Sequence, residues 1–344
     1  MTATMDRPEA AAPGTGYPTV AAMVRDWAQR LPDGVSMREK DFGIWQEYSW
    51  DRLWDLVLDA GHGLLALGVD IGDVVSIHSE DRPEWVILDF ATVAIRATNT
   101  GMYPTNPMAE VIYLVNDSGA KVHFAEDQEQ VDKVLDAPDD AFPQVEHILY
   151  VEPRGVRTYD DPRLMFWDDF MELGRKHRAE HTGAVEARMA EAEEDDVVTL
   201  VYTSGTTGPP KGAMLTNGNA AYAIEKIVNI KGRTADGEPP GPEDEILTYL
   251  PLCHVAERIF SAWHMAGSGT RLNFAESIET VNENLREVQP TIFFAVPRIW
   301  EKLHALALIR ANDASWFKGK VLGFGLSLAS RIGKIKVENH GEHT

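Results

Sequence analysis

The pattern of apolar and polar positions changes period repeatedly along the chain. From Trp50 to Leu67, the residues Trp50, Leu53, Trp54, Val57, Leu64 and Leu67 form one apolar helical face. Ser49 stands in front of this face as an N-cap, and Gly68 ends it. Asp73 to His78 reads as a strand. Arg82-Pro83 then opens a helix carrying Trp85, Leu88, Phe90 and Ile95. Ala97 to Tyr103 is the next strand, and Pro107 opens a helix that runs to about Asn116. Lys121 to Ala125 and His147 to Val151 are further strands. Val197 to Val201 is apolar and β-branched, as expected of a buried strand. Thr216-Asn217 can cap a helix over the apolar-rich stretch Ala220 to Ile230. Ile246 to Leu250 is a short strand ending at Pro251, and His254 opens a helical stretch through Phe260 and Trp263. Strands that alternate with helices imply right-handed crossovers and a mostly parallel sheet, hence an α/β fold. No internal repeat at a solenoid period is visible.

Composition narrows the class. The 344 residues are 44% hydrophobic and 25% charged, an ordinary globular balance with length for two or three domain-sized units. The net charge is 32 − 54 = −22. No basic stripe is present, so nucleic acid is excluded as a partner. Cys253 is the only cysteine, which forbids an intrachain disulfide and fits a reducing, cytoplasmic setting. Residues 1–16 hold Asp6, Pro8, Glu9 and Pro13 without an apolar core, and read as a disordered tail rather than a secretory signal. No uncharged stretch reaches the length of a membrane span. The acidic residues of 186–196 read as a solvated helix or loop before the Val197 strand, and Arg233 to Asp244, rich in Gly and Pro, as a flexible excursion.

The chemistry concentrates in Tyr202-Thr203-Ser204-Gly205-Thr206-Thr207-Gly208-Pro209-Pro210-Lys211-Gly212. Three glycines let the backbone turn tightly and bring N–H groups towards a ligand. Ser204, Thr206 and Thr207 add hydroxyl donors, and Lys211 adds a fixed positive charge. A polyphosphate needs this set. The spacing is not that of a Walker A loop, because Pro210 precedes Lys211 and Gly212 follows it. The overall negative charge does not forbid such a ligand, since remote acids are screened over about 8 Å at physiological salt.

This loop resembles the signature of the adenylate-forming superfamily. The segment Tyr249-Leu250-Pro251-Leu252-Cys253-His254-Val255-Ala256-Glu257-Arg258 is similar to the Tyr-Leu-Pro-Leu-x-His-x-x-Glu-Arg pattern of long-chain fatty acyl-CoA synthetases. Pro290 to Leu303, with Val296-Pro297-Arg298-Ile299-Trp300-Glu301-Lys302, resembles a strand-to-helix segment of the same branch, and Asn116 to Lys121 is a shorter match. The resemblance implies layered, parallel-rich sheets with flanking helices, as an incomplete N-terminal domain of the acyl-CoA synthetase fold. Residues of about 73–232 would form a first subdomain with the phosphate loop, and 17–72 with 245–344 a second, truncated one, with the site between them.

The resemblance also implies an acid–thiol ligase of fatty acid metabolism. A fatty acid is activated by ATP to an acyl-adenylate, and coenzyme A then takes the acyl group as a thioester. Ser204, Gly205, Thr206, Thr207 and Gly208 would hold phosphates, Thr203 would assist Mg²⁺ as well as the nucleotide, and Lys211 would supply charge during catalysis. His254 would lie by the acyl carboxylate as a catalytic and substrate-contacting residue. A Cys253–His254 nucleophile is disfavoured, because adjacent side chains rarely aim at each other. Arg298 is equally a charge-binding residue or a brace for its loop. The family's aromatic-Gly-x-Thr-Glu segment, its ribose-binding Asp and its C-terminal domain with a catalytic Lys have no match, since no Thr-Glu or Tyr-Gly dipeptide occurs. The chain therefore looks like a truncated N-terminal portion, with a complementing C-terminal chain kept open as a partner. Its own turnover is expected to be small, and apolar surface around Phe293, Phe294, Trp316 and Phe324 is expected to be exposed. The alternatives are a non-catalytic ATP- or acyl-binding module and one half of a two-chain enzyme. Ala314 to Lys336 is apolar and basic; docking inside the second subdomain is favoured over a peripheral membrane contact.

Overall fold

A computed structural model of the chain describes residues 19–203, 208–229, 238–312 and 316–338. It falls into two compact units, residues 1–293 and 294–344.

The first unit begins with α1 (Val20–Arg30), the hairpin β1 (Val35–Asp41) and β2 (Ile44–Ser49), and α2 (Trp50–Ala66). Next come β3 (Val74–His78), α3 (Pro83–Ala94), β4 (Thr98–Met102), α4 (Met108–Ser118), β5 (Ala120–Ala125) and α5 (Gln128–Leu135). The middle of the chain holds β6 (His147–Tyr150), β7 (Leu164–Phe166), α6 (Trp167–Glu180), α7 (Ala184–Ala190) and β8 (Val197–Thr203). The strand β9 (Lys211–Thr216), α8 (Asn217–Val228) and β10 (Glu245–Thr248) follow. Then α9 (Val255–Arg258) passes through a π-helical turn, Ile259–Trp263, into α10 (His264–Ser268), and β11 (Arg271–Phe274) and α11 (Val281–Val288) complete the unit.

Caps explain where the helices start. The Ser49 side chain accepts the Arg52 N–H at 3.1 Å, and Thr216 makes a reciprocal capping box with Asn219. Pro83 occupies the first turn of α3, where its missing N–H costs nothing. Gly119 ends α4 in the left-handed region at φ 71°, a conformation that a Cβ would strain.

Two sheets carry the unit. The larger has the order β7-β6-β5-β3-β4-β8-β9, parallel throughout except for the last pair. The smaller has the order β10-β11-β1-β2 and joins the early hairpin to strands more than two hundred residues later. The centre of the core is α3, whose Trp85, Val86, Leu88 and Phe90 are fully buried together with Trp50 and Trp263. The segment 186–196, expected to be solvated, is partly engaged: Met189 of α7 is buried, and Asp196 binds Arg96 at 2.8 and 3.1 Å. The stretch 1–16 read as a tail, and residues 233–237 of the Gly/Pro-rich excursion, lie outside the described residues.

The second unit pairs α12 (Pro297–Asn312) with α13 (Trp316–Glu338). Trp300, Ile309, Phe324, Leu328 and Ile332 are exposed on it. Phe293, in the first unit, is half-buried and stacks on Tyr249 with ring centroids 5.6 Å apart. Among the described residues no helix is long and apolar enough to cross a membrane.

Candidate functional site

The segment read in the sequence as a phosphate loop is bounded by two strands. The strands β8 and β9 run antiparallel, with Tyr202 opposite Gly212 and Thr203 opposite Lys211. Directly opposed residues project to one face of the sheet, so the Thr203 hydroxyl and the exposed Lys211 ammonium start from the same face of the ladder. Gly208, on the return path, has φ 85°, which a side chain would strain. Ser204, Gly205, Thr206 and Thr207 lie outside the described residues.

Beside this ladder is a cavity of about 370 Å³ at the carboxyl ends of β4 and β8, where open α/β sheets place ligands. Its walls come from Gly101 to Tyr103, from Asn106, Glu110 and Leu114, from Val201 to Thr203 with Pro210, and from Cys253 to Val255. It therefore brings Thr203 and His254 to one cavity, 51 positions apart in sequence. Gly101 makes the approach possible. A Cβ there would stand 2.7 Å from Cys253 Cβ and 2.8 Å from its Cα.

His254 is exposed and caps α9, accepting the Ala256 N–H on Nδ1 at 3.1 Å. That bond places the proton of the neutral ring on Nε2, which remains for a ligand. Burial, and then the charge of Asp81, push the neighbouring Cys253 thiol far up, so it is not a ready nucleophile. Arg298 is exposed on α12, in the second unit.

One turn beyond His254, Arg258 enters the core. Its Nε donates to Asp89 at 3.1 Å, Nη1 to the Thr199 hydroxyl at 2.7 Å and Nη2 to Asn99 at 2.9 Å and to Asp89. The guanidinium lies 5.2 Å from the Trp85 ring centroid and 5.1 Å from that of Trp263. Both charges are buried, Arg258 at 3% and Asp89 at 0% side-chain exposure. This network fixes the helix that follows His254 to α3, β4 and β8. A signal for it was present in the sequence: Asp89 is the one acid inside the apolar run Trp85 to Ala94.

A second network holds the turn before His254. Asp81 accepts the Leu252 N–H at 2.8 Å. The Thr248 hydroxyl lies 2.7 Å from Glu257 and 3.3 Å from Asp81. A hydroxyl has one hydrogen to give, so the second contact is favourable when one of the two carboxyls holds a proton. Burial raises both carboxyls, Glu257 to about 7, and the charge of Glu257 pushes Asp81 further up. Among the described residues no group of three or more His, Cys, Asp or Glu is placed to hold a metal ion.

Comparison with known proteins gives a consistent picture. A family model described as AMP-binding enzyme matches residues 24–332. The chain is 31% identical over 316 residues to a long-chain-fatty-acid–CoA ligase, FadD15, of Mycobacterium tuberculosis, covering 91% of this chain and 49% of that protein. It is 26% identical to the human long-chain-fatty-acid–CoA ligase ACSBG2, covering 94% of this chain and 48% of the relative. The chain thus spans about half the length of the curated relatives it matches. Among solved structures, the N-terminal domain of FACL13 from Mycobacterium tuberculosis superposes with a TM-score of 0.65 at 22% identity, over 82% of this chain and 63% of that one. VinN bound to L-aspartate gives 0.66 at 17% identity, over 86% and 66%. These two likenesses speak for the fold.

Proposed function

Because this chain belongs to the AMP-binding enzyme family, we propose that it forms the nucleotide- and acyl-binding part of a long-chain fatty acid–CoA ligase. The observation that carries this reading is the cavity shared by the end of β8, Pro210 just before β9, and His254. A carboxylate is a poor electrophile. Attack of its oxygen on the α-phosphorus of ATP expels pyrophosphate and gives an acyl-adenylate. Attack of the coenzyme A thiol on the acyl carbon then expels AMP. The protein's task is to align acid and phosphate and to balance charge on the departing pyrophosphate.

In this reading Lys211 faces the phosphates, with Gly208 and the segment Ser204 to Thr207 beside them. Mg²⁺, arriving with the nucleotide, would supply further neutralising charge, and the Thr203 hydroxyl would help to hold it. His254, with Nε2 free of its cap bond, hydrogen-bonds the acyl carboxylate. The larger sheet corresponds to a subdomain of about 73–232, and the strands of 17–72 pair with those after 245. The exposed Phe324, Leu328 and Ile332 on α13, interspersed with Lys320, Arg331 and Lys334, support a peripheral membrane contact or a complementing chain.

Calorimetric titration with ATP and Mg²⁺ tests the nucleotide half. A lost charge-assisted hydrogen bond costs about 1.5–3 kcal/mol, so Lys211→Ala should weaken binding by roughly 10- to 150-fold. An unchanged affinity removes Lys211 from the site.

A further inference from the structure

We infer that helix α4 sets the position of the phosphate-loop stems, with Tyr113 and Asp117 as positioning residues for the nucleotide. The inference rests on the nucleotide reading of residues 203–211.

The strand that carries Lys211 needs such a support. β9 is the edge strand of the larger sheet and has only β8 as a ladder neighbour among the described residues. Its residues are exposed or half-buried. The ladder fixes β9 to β8, but leaves the point where the chain returns into β9 held from one side.

α4 supplies the other side. The Tyr113 hydroxyl donates to the Pro210 carbonyl at 2.8 Å, directly before Lys211. The Tyr202 hydroxyl donates to Asp117 Oδ2 at 2.7 Å, directly before Thr203. Tyr113 and Asp117 are four residues apart and share one face of the helix. One helix face therefore grips the outgoing stem at 202 and the returning stem at 210. Proline suits the second point, because its ring fixes φ and narrows the directions its own residue can take.

A third contact closes the arrangement. The Tyr202 ring lies against Gly212, where a Cβ would meet Cζ at 3.0 Å. The ring thus spans the ladder beside Lys211 while its hydroxyl reaches back to α4. Burial, and then Asp117, raise the Tyr202 phenol, so it stays a hydrogen-bond donor at neutral pH.

α4 can bear this load because it is itself fixed. Val111, Leu114 and Val115 are buried in a core cluster, and Asn116 Nδ2 donates to the Ala141 carbonyl at 2.8 Å. The segment Asn116 to Lys121, which otherwise has no part in the chemistry, thereby gains a role through Asp117.

The test uses the 344-residue chain and three variants. Tyr113→Phe and Asp117→Ala each remove one grip, and Asp117→Asn keeps an acceptor oxygen for Tyr202. The expected result is about 3- to 10-fold weaker binding of ATP with Mg²⁺ in the first two, and recovery of most of the loss in Asp117→Asn. Amide exchange should quicken in 208–214 while the rest of the chain and the melting temperature hold. Wild-type affinity and unchanged exchange in 208–214 for both Tyr113→Phe and Asp117→Ala would overturn the inference. A lower melting temperature with faster exchange throughout would also overturn it, since that is a merely structural role. If wild-type protein binds no ATP, the nucleotide reading falls, and exchange in 208–214 alone decides whether α4 grips the stems.

Discussion

Replacing Arg258 with methionine removes the cation at the centre of a buried network and strands Asp89 without a counter-charge. The guanidinium reaches Asp89, Thr199 and Asn99, and Asn99 Nδ2 in turn donates to Asp89 at 2.7 Å. With both side chains at or below 3% exposure, screening by water is weak. Two unit charges about 4 Å apart at an effective dielectric of about 20 attract by about 4 kcal/mol. Breaking such a pair from one side typically costs about 3–5 kcal/mol, because the remaining ion must be buried alone. Replacing both ions by apolar groups is far milder. Arg258→Met should therefore lose about 3–5 kcal/mol, and Arg258→Met with Asp89→Leu should regain most of it. Urea unfolding followed by tryptophan fluorescence reads this well, since Trp85 and Trp263 flank the guanidinium. At a slope of about 3 kcal/mol per molar urea, the single variant's midpoint falls by about 1–1.7 M. A loss below about 1 kcal/mol, or a double variant as unstable as the sum of its singles, would refute the coupling.

Three further outcomes are expected. Gly101→Ala drives a methyl group into the backbone of Cys253, and should cost about 1–3 kcal/mol of stability and displace the turn that bears His254, visible as a lowered melting temperature and as shifted resonances at 251–255. The folded pKa of Glu257, about 7, lies above the ordinary 4.5, so its stability contribution is full below pH 4.5, is lost as pH rises towards 7, and is level beyond. Glu257→Gln should flatten that descent relative to wild type in urea midpoints taken from pH 4.5 to 8, and parallel curves would exclude a shared proton. In an enzyme competent for turnover, His254→Ala should slow adenylate formation while ATP affinity stays within about twofold, whereas equal loss of both with a lower melting temperature would reduce His254 to its cap bond, worth about 1 kcal/mol.

The sheet strands were legible where a β-branched run stood between helix signals. β3, β5, β6 and β8 each fall within two residues of the expected limits, and α2, α3 and α4 begin at their Ser49, Pro83 and Pro107 signals. The hairpin β1–β2 was not read, because Arg38, Glu39, Lys40 and Asp41 hide the alternation. α6 was missed although Trp167, Phe170, Met171 and Gly174 are its buried residues at helical spacing; its other positions are largely charged. β9 was passed over as the way from loop to helix, since Lys211 to Thr216 has little burial to pattern. Local spacing singled out Lys211 and His254 as candidates but not the residues that hold their segments in place. Asp89 and Arg258 are 169 positions apart, and Tyr113 and Pro210 are 97 apart, so only the fold makes them neighbours.

Two segments that border the cavity are held by different kinds of force, and substitution should separate them. The turn bearing His254 is fastened from behind by Arg258 and Asp89, buried charges whose loss must be felt throughout the core. The stems bearing Thr203 and Lys211 are fastened by hydrogen bonds from Tyr113 and Tyr202, both half-buried, with water near enough to replace a lost partner. Changes at Arg258 or Asp89 should therefore appear first as lost stability, and changes at Tyr113 or Asp117 as altered nucleotide affinity in a protein that still folds. A set of single substitutions at these four positions, scored for urea midpoint and for ATP affinity, should fall on two separate axes. Placement of all four on one line of falling stability and falling affinity would mean that the two segments are a single cooperative body.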